Sequence, residues 1–506
     1  MAVARTLAIA LHGIDGALVE IEADLANGLP AFTIIGLPDA ALGEAKDRVR
    51  AAAVNSGCDL PARKVTVNLS PASLPKHGSG FDLGIAVAAL ATTGIIDAAA
   101  IDRIVHVGEL SLDGRLRPVA GVLPTVLASR RAGAAAVVVP SGNADEARLV
   151  PGIRIIAAAS LRDVLIGHGA RLEPVPVDAL EPPVSVAPRV ETGDLADVVG
   201  HPEAVEALQV AAAGGHHLLM LGPPGAGKTL LASRLPGLLP DLDPDSAVEV
   251  SSVRSLAGLP IGPTLQTRPP LEAPHHSATM AALVGGGSGL VRPGAISRAS
   301  HGVLFLDEAP EFSASVLDAL RQPLETGEIT IHRARAVARF PARFQLVLAA
   351  NPCPCGQGGG DDCTCTSLMR RRYLGRLSGP LLDRIDLHVT VRRVGAAQLT
   401  ENGPSAMTTA QARQRVVAAR ARAAARWGQE GYPVNALVPG TLLRSDRWRL
   451  PAADRATLDR ALERGALTMR GYDRVIRVAW TVADLEGDER PGADHVGRAL
   501  YLRKGI

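Results

Sequence analysis

Residues Gly222–Thr229 read G-P-P-G-A-G-K-T, directly after the apolar run Leu218-Leu219-Met220-Leu221 and ahead of a helix-compatible stretch from Leu230. This is G-x-x-x-x-G-K-[ST] in the strand, loop, helix context that gives the pattern physical meaning. Gly222, Pro223, Pro224, Gly225, Ala226 and Gly227 supply a loop whose backbone N–H groups, with the N-terminus of the next helix, can close on phosphate oxygens. Lys228 is placed to bridge the β- and γ-phosphates as a point charge, and the Thr229 hydroxyl to hold Mg²⁺. ATP and Mg²⁺ are therefore the expected cofactors.

A second signature lies about 80 residues on, at Gly302-Val303-Leu304-Phe305-Leu306-Asp307-Glu308. An apolar strand ending in two acids puts one carboxylate at the metal, Asp307, and the next beside the γ-phosphate, where Glu308 can act as general base. A third apolar strand, Phe344 to Ala350, ends at Asn351. That amide can orient the attacking water or the γ-phosphate, or can simply cap a loop.

Working outward, 506 residues are too many for one ordinary core, so two or three domains are expected. With 47% hydrophobic and 21% charged residues the chain is of soluble globular type. Aromatics make up only 3%, which argues against base-stacking platforms as the main mode of any nucleic-acid binding. The net charge of +2 conceals a basic C-terminal part, with 25 Arg and Lys against 14 Asp and Glu from Thr366 onward. That excess reads either as a solvated helical surface or as an electrostatic footprint for phosphates. Met1–Leu11 runs into Asp15, Glu20, Glu22 and Asp24 without a cleavage or stop-transfer pattern, and reads as a first strand. No apolar run approaches the roughly 18 residues that span a bilayer, so a cytoplasmic protein without membrane partners is expected.

Composition divides the chain into three parts joined by a linker. Residues 1–170 alternate β-type runs (Ala17–Ala23, Ala31–Ile35, Lys64–Leu69, Ala135–Val139) with Ala-rich helical stretches, as in an α/β domain. Residues 171–191 carry Pro174, Pro176, Pro182, Pro183 and Pro188 and read as a linker. The P-loop domain spans 192–395. Residues 396–506, with stretches such as Thr409–Trp427 and Pro451–Arg464, read as a helical domain.

The order G-P-P-G-A-G-K-T, L-F-L-D-E, A-A-N-P and L-L-D-R-I-D-L resembles an AAA+ ATPase of the branch containing the magnesium-chelatase motor and the MCM helicases. Within it, Ala273-Pro274-His275-His276-Ser277-Ala278, the glycine-rich segment from Leu283, Pro310-Glu311-Phe312 and Asn351-Pro352-Cys353-Pro354-Cys355-Gly356 resemble the magnesium-chelatase-like competence family, ComM or YifB. The resemblance covers essentially the whole chain. It implies an α/β fold with an N-terminal Lon-protease-like domain, an AAA+ αβα core and a C-terminal helical lid. It further implies a homo-hexameric DNA helicase or branch-migration motor, acting on single-stranded or branched DNA during integration of transforming DNA.

Carried over by position, Arg384 in Leu381–Asp386 matches the arginine finger that reaches the γ-phosphate of a neighbouring subunit, where charge develops in the transition state. Arg470 resembles the second-sensor arginine of the lid, with Arg477 the competing candidate. Gly108–Val119 resembles the segment leading to the catalytic lysine of Lon-type proteases, and Gly80–Gly84 their serine-bearing turn. The serine position then holds Asp82 and the lysine position Leu123, so the Ser–Lys dyad is missing.

Four cysteines fall within thirteen residues, as Cys353-x-Cys355 and Cys363-x-Cys365. Two such pairs across a Gly/Asp loop can bring four thiolates to one tetrahedral Zn²⁺, with unmetallated thiols or disulfides as alternatives. Cys58, isolated on an apolar helix, reads as core. In Ile329–Phe340, Arg333 and Arg335 lie two apart, on one face of a hairpin strand. They read either as charges guarding an edge or as phosphate contacts in a pore. Leu283–Leu290 with Arg292 and Arg298 is a second pore-loop candidate, whose glycines equally fit an ordinary flexible insert. Rival readings are a chelatase-type motor acting on a protein partner, an ATP-dependent protease, and a nucleotide-gated scaffold. The missing dyad opposes the second, and Asp307, Glu308 and Arg384 the third.

Overall fold

The computed structural model describes residues 3–36, 40–76, 78–181, 193–287, 291–333, 336–357, 363–395 and 407–504. β1 (Val3–His12) and β2 (Asp15–Ala26) pair antiparallel from Val3 opposite Asp24 to His12 opposite Asp15. β3 (Ala31–Ile35), β4 (Lys64–Ser70), β5 (Ile104–His106), the ribbon β6 (Glu109–Leu110) with β7 (Leu116–Arg117), β8 (Ala136–Pro140) and β9 (Arg154–Ala158) follow. Seven of these strands form one mixed sheet in the order β3-β4-β2-β1-β5-β8-β9. Strand alternation supplies both faces with apolar side chains. Ala4, Ala8, Ala136 and Val138 pack with the buried helix Asp82–Ala91, whereas Ile9, Val137 and Val139 pack with helix Val122–Arg131. Cys58 is buried as expected, in the loop after helix Ala40–Asn55 and not on it.

The second sheet is built from β10 (Leu218–Leu221), β11 (Leu271–Glu272), β14 (Val303–Leu306), β17 (Gln345–Ala350) and β18 (Leu387–Thr390). All pairings are parallel, in the order β11-β14-β17-β10-β18. Between these strands lie two antiparallel ribbons, β12 (Gly285–Gly286) with β13 (Arg292–Pro293), and β15 (Glu328–Arg333) with β16 (Ala336–Pro341). In β14 and β17 every side chain is buried, as a sheet covered on both faces requires. Because β17 is inserted between β10 and β14, the carboxyl ends of these three strands lie side by side. Ligands of open α/β sheets bind beyond such ends.

The C-terminal part is helical, with Thr409–Trp427, Ala452–Glu463, Met469–Glu486 and Ala493–Lys504. All three tryptophans of this aromatic-poor chain meet here. The rings of Trp427, Trp448 and Trp480 have centroids 4.6, 5.5 and 6.0 Å apart. The basic character of helix Thr409–Trp427 has a structural explanation. Arg413 donates to Leu239 O (3.1 Å), Arg420 to Ala212 O (2.8 Å) and Arg422 to Asp484 O (2.7 Å), all at C-terminal ends of other helices. Guanidinium groups there satisfy orphan carbonyls and oppose the helix dipole. Arg415 reaches Gln209, and Arg426 pairs with Asp484 beneath the Trp480 ring. Each of these five charges has a partner within the fold, although Arg415 and Arg422 remain exposed.

The N-terminal region docks on the β15–β16 ribbon and on helix Pro244–Leu256. Gly13 bridges Arg339 of β16, so closely that a β-carbon on Gly13 would lie 1.9 Å from Arg339 O. At the start of helix Val122–Arg131, Gly121 N–H donates to Ser255 O (3.1 Å) and Leu123 N–H to Ser255 Oγ (3.4 Å). Among the described residues no helix is long and apolar enough to cross a membrane.

Candidate nucleotide-binding site

Gly222 follows β10 where Val391 crosses behind it; a β-carbon there would sit 2.1 Å from Val391 O. Gly225 (φ 75°) and Gly227 (φ 87°) adopt the left-handed conformation that side chains resist, and Gly227 caps helix Lys228–Leu238. Lys228 Nζ donates to Gly222 O (2.6 Å), Pro223 O (3.0 Å) and Asn351 Oδ1 (3.0 Å). Burial pushes its ammonium below the ordinary value, against the pull of Asp307 and Glu308. The structure thus brings the lysine at the end of β10 onto the amide at the end of β17.

The β14 end completes the group. Thr229 Oγ1 donates to Asp307 Oδ2 (2.7 Å), while Asp307 Oδ1 accepts from Glu308 N–H (2.9 Å). Both oxygens of one carboxylate are therefore aimed, and the peptide carrying the second acid is fixed by the first. Glu308 has φ 51°, costly by on the order of 1 kcal/mol for a residue with a side chain. Its carbonyl accepts from Glu311 N–H (2.7 Å), which closes the turn. His276 Nδ1 lies 3.2 Å from Glu308 Oε2, both side chains partly exposed. Sequence reasoning missed this partner, although it lies in the quoted Pro-His-His-Ser run. A loop with one glycine crowded against Val391 and two at positive φ, a lysine and a hydroxyl–carboxylate pair suit a magnesium triphosphate. Thr229 and Asp307 offer the oxygen donors that Mg²⁺ prefers.

Three family profiles match the chain in succession: "Subunit ChlI of Mg-chelatase" over residues 21–143, "Magnesium chelatase, subunit ChlI" over 194–399, and "Magnesium chelatase, subunit ChlI C-terminal" over 406–503. An uncharacterised protein of Mycobacterium tuberculosis is 50% identical over 514 residues, covering 100% of this chain and 99% of its own. Competence protein ComM of Haemophilus influenzae is 43% identical over 504 residues, 99% of this chain and 98% of its own. The uncharacterised protein YifB of Escherichia coli is 40% identical over 494 residues, 97% and 95% of the two chains. The chain belongs to the ComM/YifB family of magnesium chelatase ChlI-like proteins. Membership implies an AAA+ ATPase that uses ATP and Mg²⁺. A further local similarity, 32% over 134 residues, links 25% of the chain to 16% of the Lon protease of Heliobacterium modesticaldum.

In this ComM/YifB-family chain the Lon-like region holds other chemistry at the two expected positions. Asp82 is buried and bonded twice by Arg48, Nε to Oδ2 at 2.7 Å and Nη2 to Oδ1 at 3.1 Å. Burial pushes its carboxyl up to about 6 against the pull of Arg48. Leu123 is buried in the apolar core beside Val122 and Val126.

Arg384 lies between the one-turn helix Gly379–Leu382 and β18, its guanidinium paired with Glu325 and donating to Pro380 O (2.5 Å). Arg470 is exposed in the first turn of helix Met469–Glu486, whereas Arg477 is half-buried with Nε on Val438 O (2.7 Å).

The cysteine sulfurs of 353, 355, 363 and 365 lie within 4.8 Å of one another, with Cys353–Cys355 at 3.3 Å, Cys355–Cys363 at 3.6 Å and Cys353–Cys363 at 3.8 Å. Zn–S bonds of about 2.3 Å arranged tetrahedrally put sulfurs about 3.8 Å apart, so the set suits zinc. The Gln357 N–H and the Cys353 thiol hold Cys355 down at about 6. This cluster abuts the phosphate loop: a β-carbon on Gly356 would meet Pro224 Cδ at 2.5 Å.

Of the two DNA-contact candidates only Arg333 lies among the described residues. β15 ends at Arg333, whose direct partner is Ala336 at the start of β16. Arg335 lies outside the described residues. In the second pore-loop candidate Leu283 is buried and Arg298 pairs with Glu272 at 2.9 Å, which leaves Arg292 exposed.

Proposed function

We propose that this protein is a cytoplasmic, hexameric motor that couples ATP hydrolysis to movement along DNA, with helicase and branch-migration activity on single-stranded or branched substrates. The observation that carries the ATPase part is the convergence of Lys228, Thr229, Asp307, Glu308 and Asn351 at the carboxyl ends of three adjacent parallel strands. Gly222–Thr229 cradle the triphosphate, and Thr229 with Asp307 hold Mg²⁺, which neutralises phosphate charge when bound. Glu308 is the general base, Asn351 orients the γ-phosphate or the attacking water, Arg384 acts from the neighbouring subunit, and Arg470 is the lid sensor. Its exposure leaves it able to reach a nucleotide, whereas Arg477 is spent on Val438 O. Residues 1–170 serve as a non-proteolytic Lon-like scaffold, 171–191 as linker, 192–395 as the AAA+ core and 396–506 as the lid.

The DNA part rests on near full-length similarity to a protein named for competence, and on the basic β15–β16 hairpin. The deciding experiment is ATPase turnover without DNA and with single-stranded, duplex and four-way-junction DNA. Stimulation by DNA supports the motor. Turnover indifferent to all three, but raised by a protein partner, would favour a chelatase-type remodeller, the reading favoured by the ChlI profile itself.

Replacing Arg333 and Arg335 together by Ala is expected to weaken DNA binding equally across sequences and to flatten its salt dependence, since each lost phosphate contact releases fewer counterions. Basal ATPase should survive. Affinity measured at several salt concentrations tests this; an unchanged slope moves the DNA path elsewhere, to the Leu283 segment or the N-terminal domain.

The four cysteines are proposed to hold one structural Zn²⁺. Elemental analysis of untagged protein should give about one zinc per chain, and Cys363→Ser should lose it and loosen the loop against Pro224. Folded, active protein free of metal would rule out a required zinc.

A further inference from the structure

We propose that Arg474 and Arg503, on two different C-terminal helices, are positioning residues for Arg384, so that the helical region of one subunit governs hydrolysis in its neighbour. This rests on Arg384 acting in trans, as proposed above. The segment Arg384-Ile385-Asp386 links helix Gly379–Leu382 to β18, and all three of its carbonyls are gripped by guanidinium groups. Arg474 Nη1 donates to Arg384 O (3.0 Å), and Arg503 Nη1 to Ile385 O (2.8 Å) and Asp386 O (3.4 Å).

The grip is anchored below by a buried network. The Asp386 carboxylate pairs with Arg474, faces His216 Nδ1 at 3.3 Å and accepts from His217 N–H at 3.4 Å. Burial alone would raise its pKa, but Arg474 and the His216 hydrogen bond outweigh burial and hold it well below the usual carboxylate range. His216 Nε2 in turn meets Thr481 Oγ1 at 2.7 Å. Arg474 and Thr481 are seven residues apart on helix Met469–Glu486, hence on one face. A displacement of that helix therefore carries the finger segment with it.

Among the described residues the other end of Arg384 is held by Pro380 O and by Glu325, an exposed carboxylate that a phosphoryl group can replace. Backbone position is thus the fixed quantity and the guanidinium the movable one. A finger displaced by about 1 Å can lose on the order of 10²-fold in rate. Contacts made through backbone carbonyls leave nucleotide affinity in the subunit's own site untouched.

Arg474→Ala would strip a buried carboxylate of its partner and destabilise the fold, so the informative variant is Arg503→Gln, whose hydrogen bonds go to carbonyls alone. Its hexamer is expected to show kcat lowered on the order of tenfold with KM for ATP unchanged. In an Arg384→Ala background the same substitution should cost nothing further, because a residue acting through the finger cannot matter once the finger is gone. Equal losses in both backgrounds, or a lowered melting temperature with unchanged kcat, would overturn the proposal. Unchanged turnover in Arg384→Ala alone would overturn the trans-finger reading and this inference together, a result recognisable because Arg503 is then intact.

Discussion

Lys228→Ala is expected to abolish ATP binding, whereas Glu308→Gln keeps it and stops turnover. The lysine bonds two loop carbonyls and Asn351, at the point where the phosphates must lie. Removing it deletes a phosphate contact and collapses the ordered loop at once. Glu308 is held differently. Its backbone is locked by Asp307 and by the turn to Glu311, while its carboxylate faces His276 and solvent. Glutamine keeps size and hydrogen bonds but cannot take a proton, so kcat should fall by on the order of 10²–10⁴ with affinity retained. Titration with a fluorescent ATP analogue beside steady-state turnover separates the two effects. Equal loss of affinity in both variants would refute the division of roles.

The parts of this site that sequence revealed are those written locally. A strand, a tight glycine loop and a helix start fall within twelve residues, and the Asp-Glu pair ends an apolar run whose burial is obligatory. Strand Ala31–Ile35 and helix Thr409–Trp427 were legible for the same reason, since period-two and helical spacing are local properties. Their partners were not. His276 reaches Glu308 from the loop after β11, and nothing in a Pro-His-His-Ser run states which acid it will face. The arginines of helix Thr409–Trp427 counted as positive charge along the sequence, but only the packed helices show that Arg413, Arg420 and Arg422 end on carbonyls. Charge counts carry sign without direction.

Arg384→Ala should leave ATP binding nearly intact and lower hydrolysis by on the order of 10³-fold, the size expected of a trans-acting guanidinium. Within its own chain Arg384 is bound to Glu325 and Pro380 O, and it makes no hydrogen bond or ion pair with Lys228, Thr229, Asp307 or Glu308. Glu325 can be exchanged for a phosphoryl oxygen because it is exposed, and the exchange trades one anionic partner for another at little electrostatic cost. Mixing experiments distinguish a finger from a local strut. Arg384→Ala subunits keep a complete site but offer no finger, and Glu308→Gln subunits the reverse. If they combine at random in equal amounts, about a quarter of the sites regain both parts, so turnover should return to about a quarter of the wild-type value. Two variants that are each nearly inactive would then be active together. No recovery on mixing, with hexamers of mixed composition demonstrated, would place Arg384 in cis and leave the coupling between subunits to another residue.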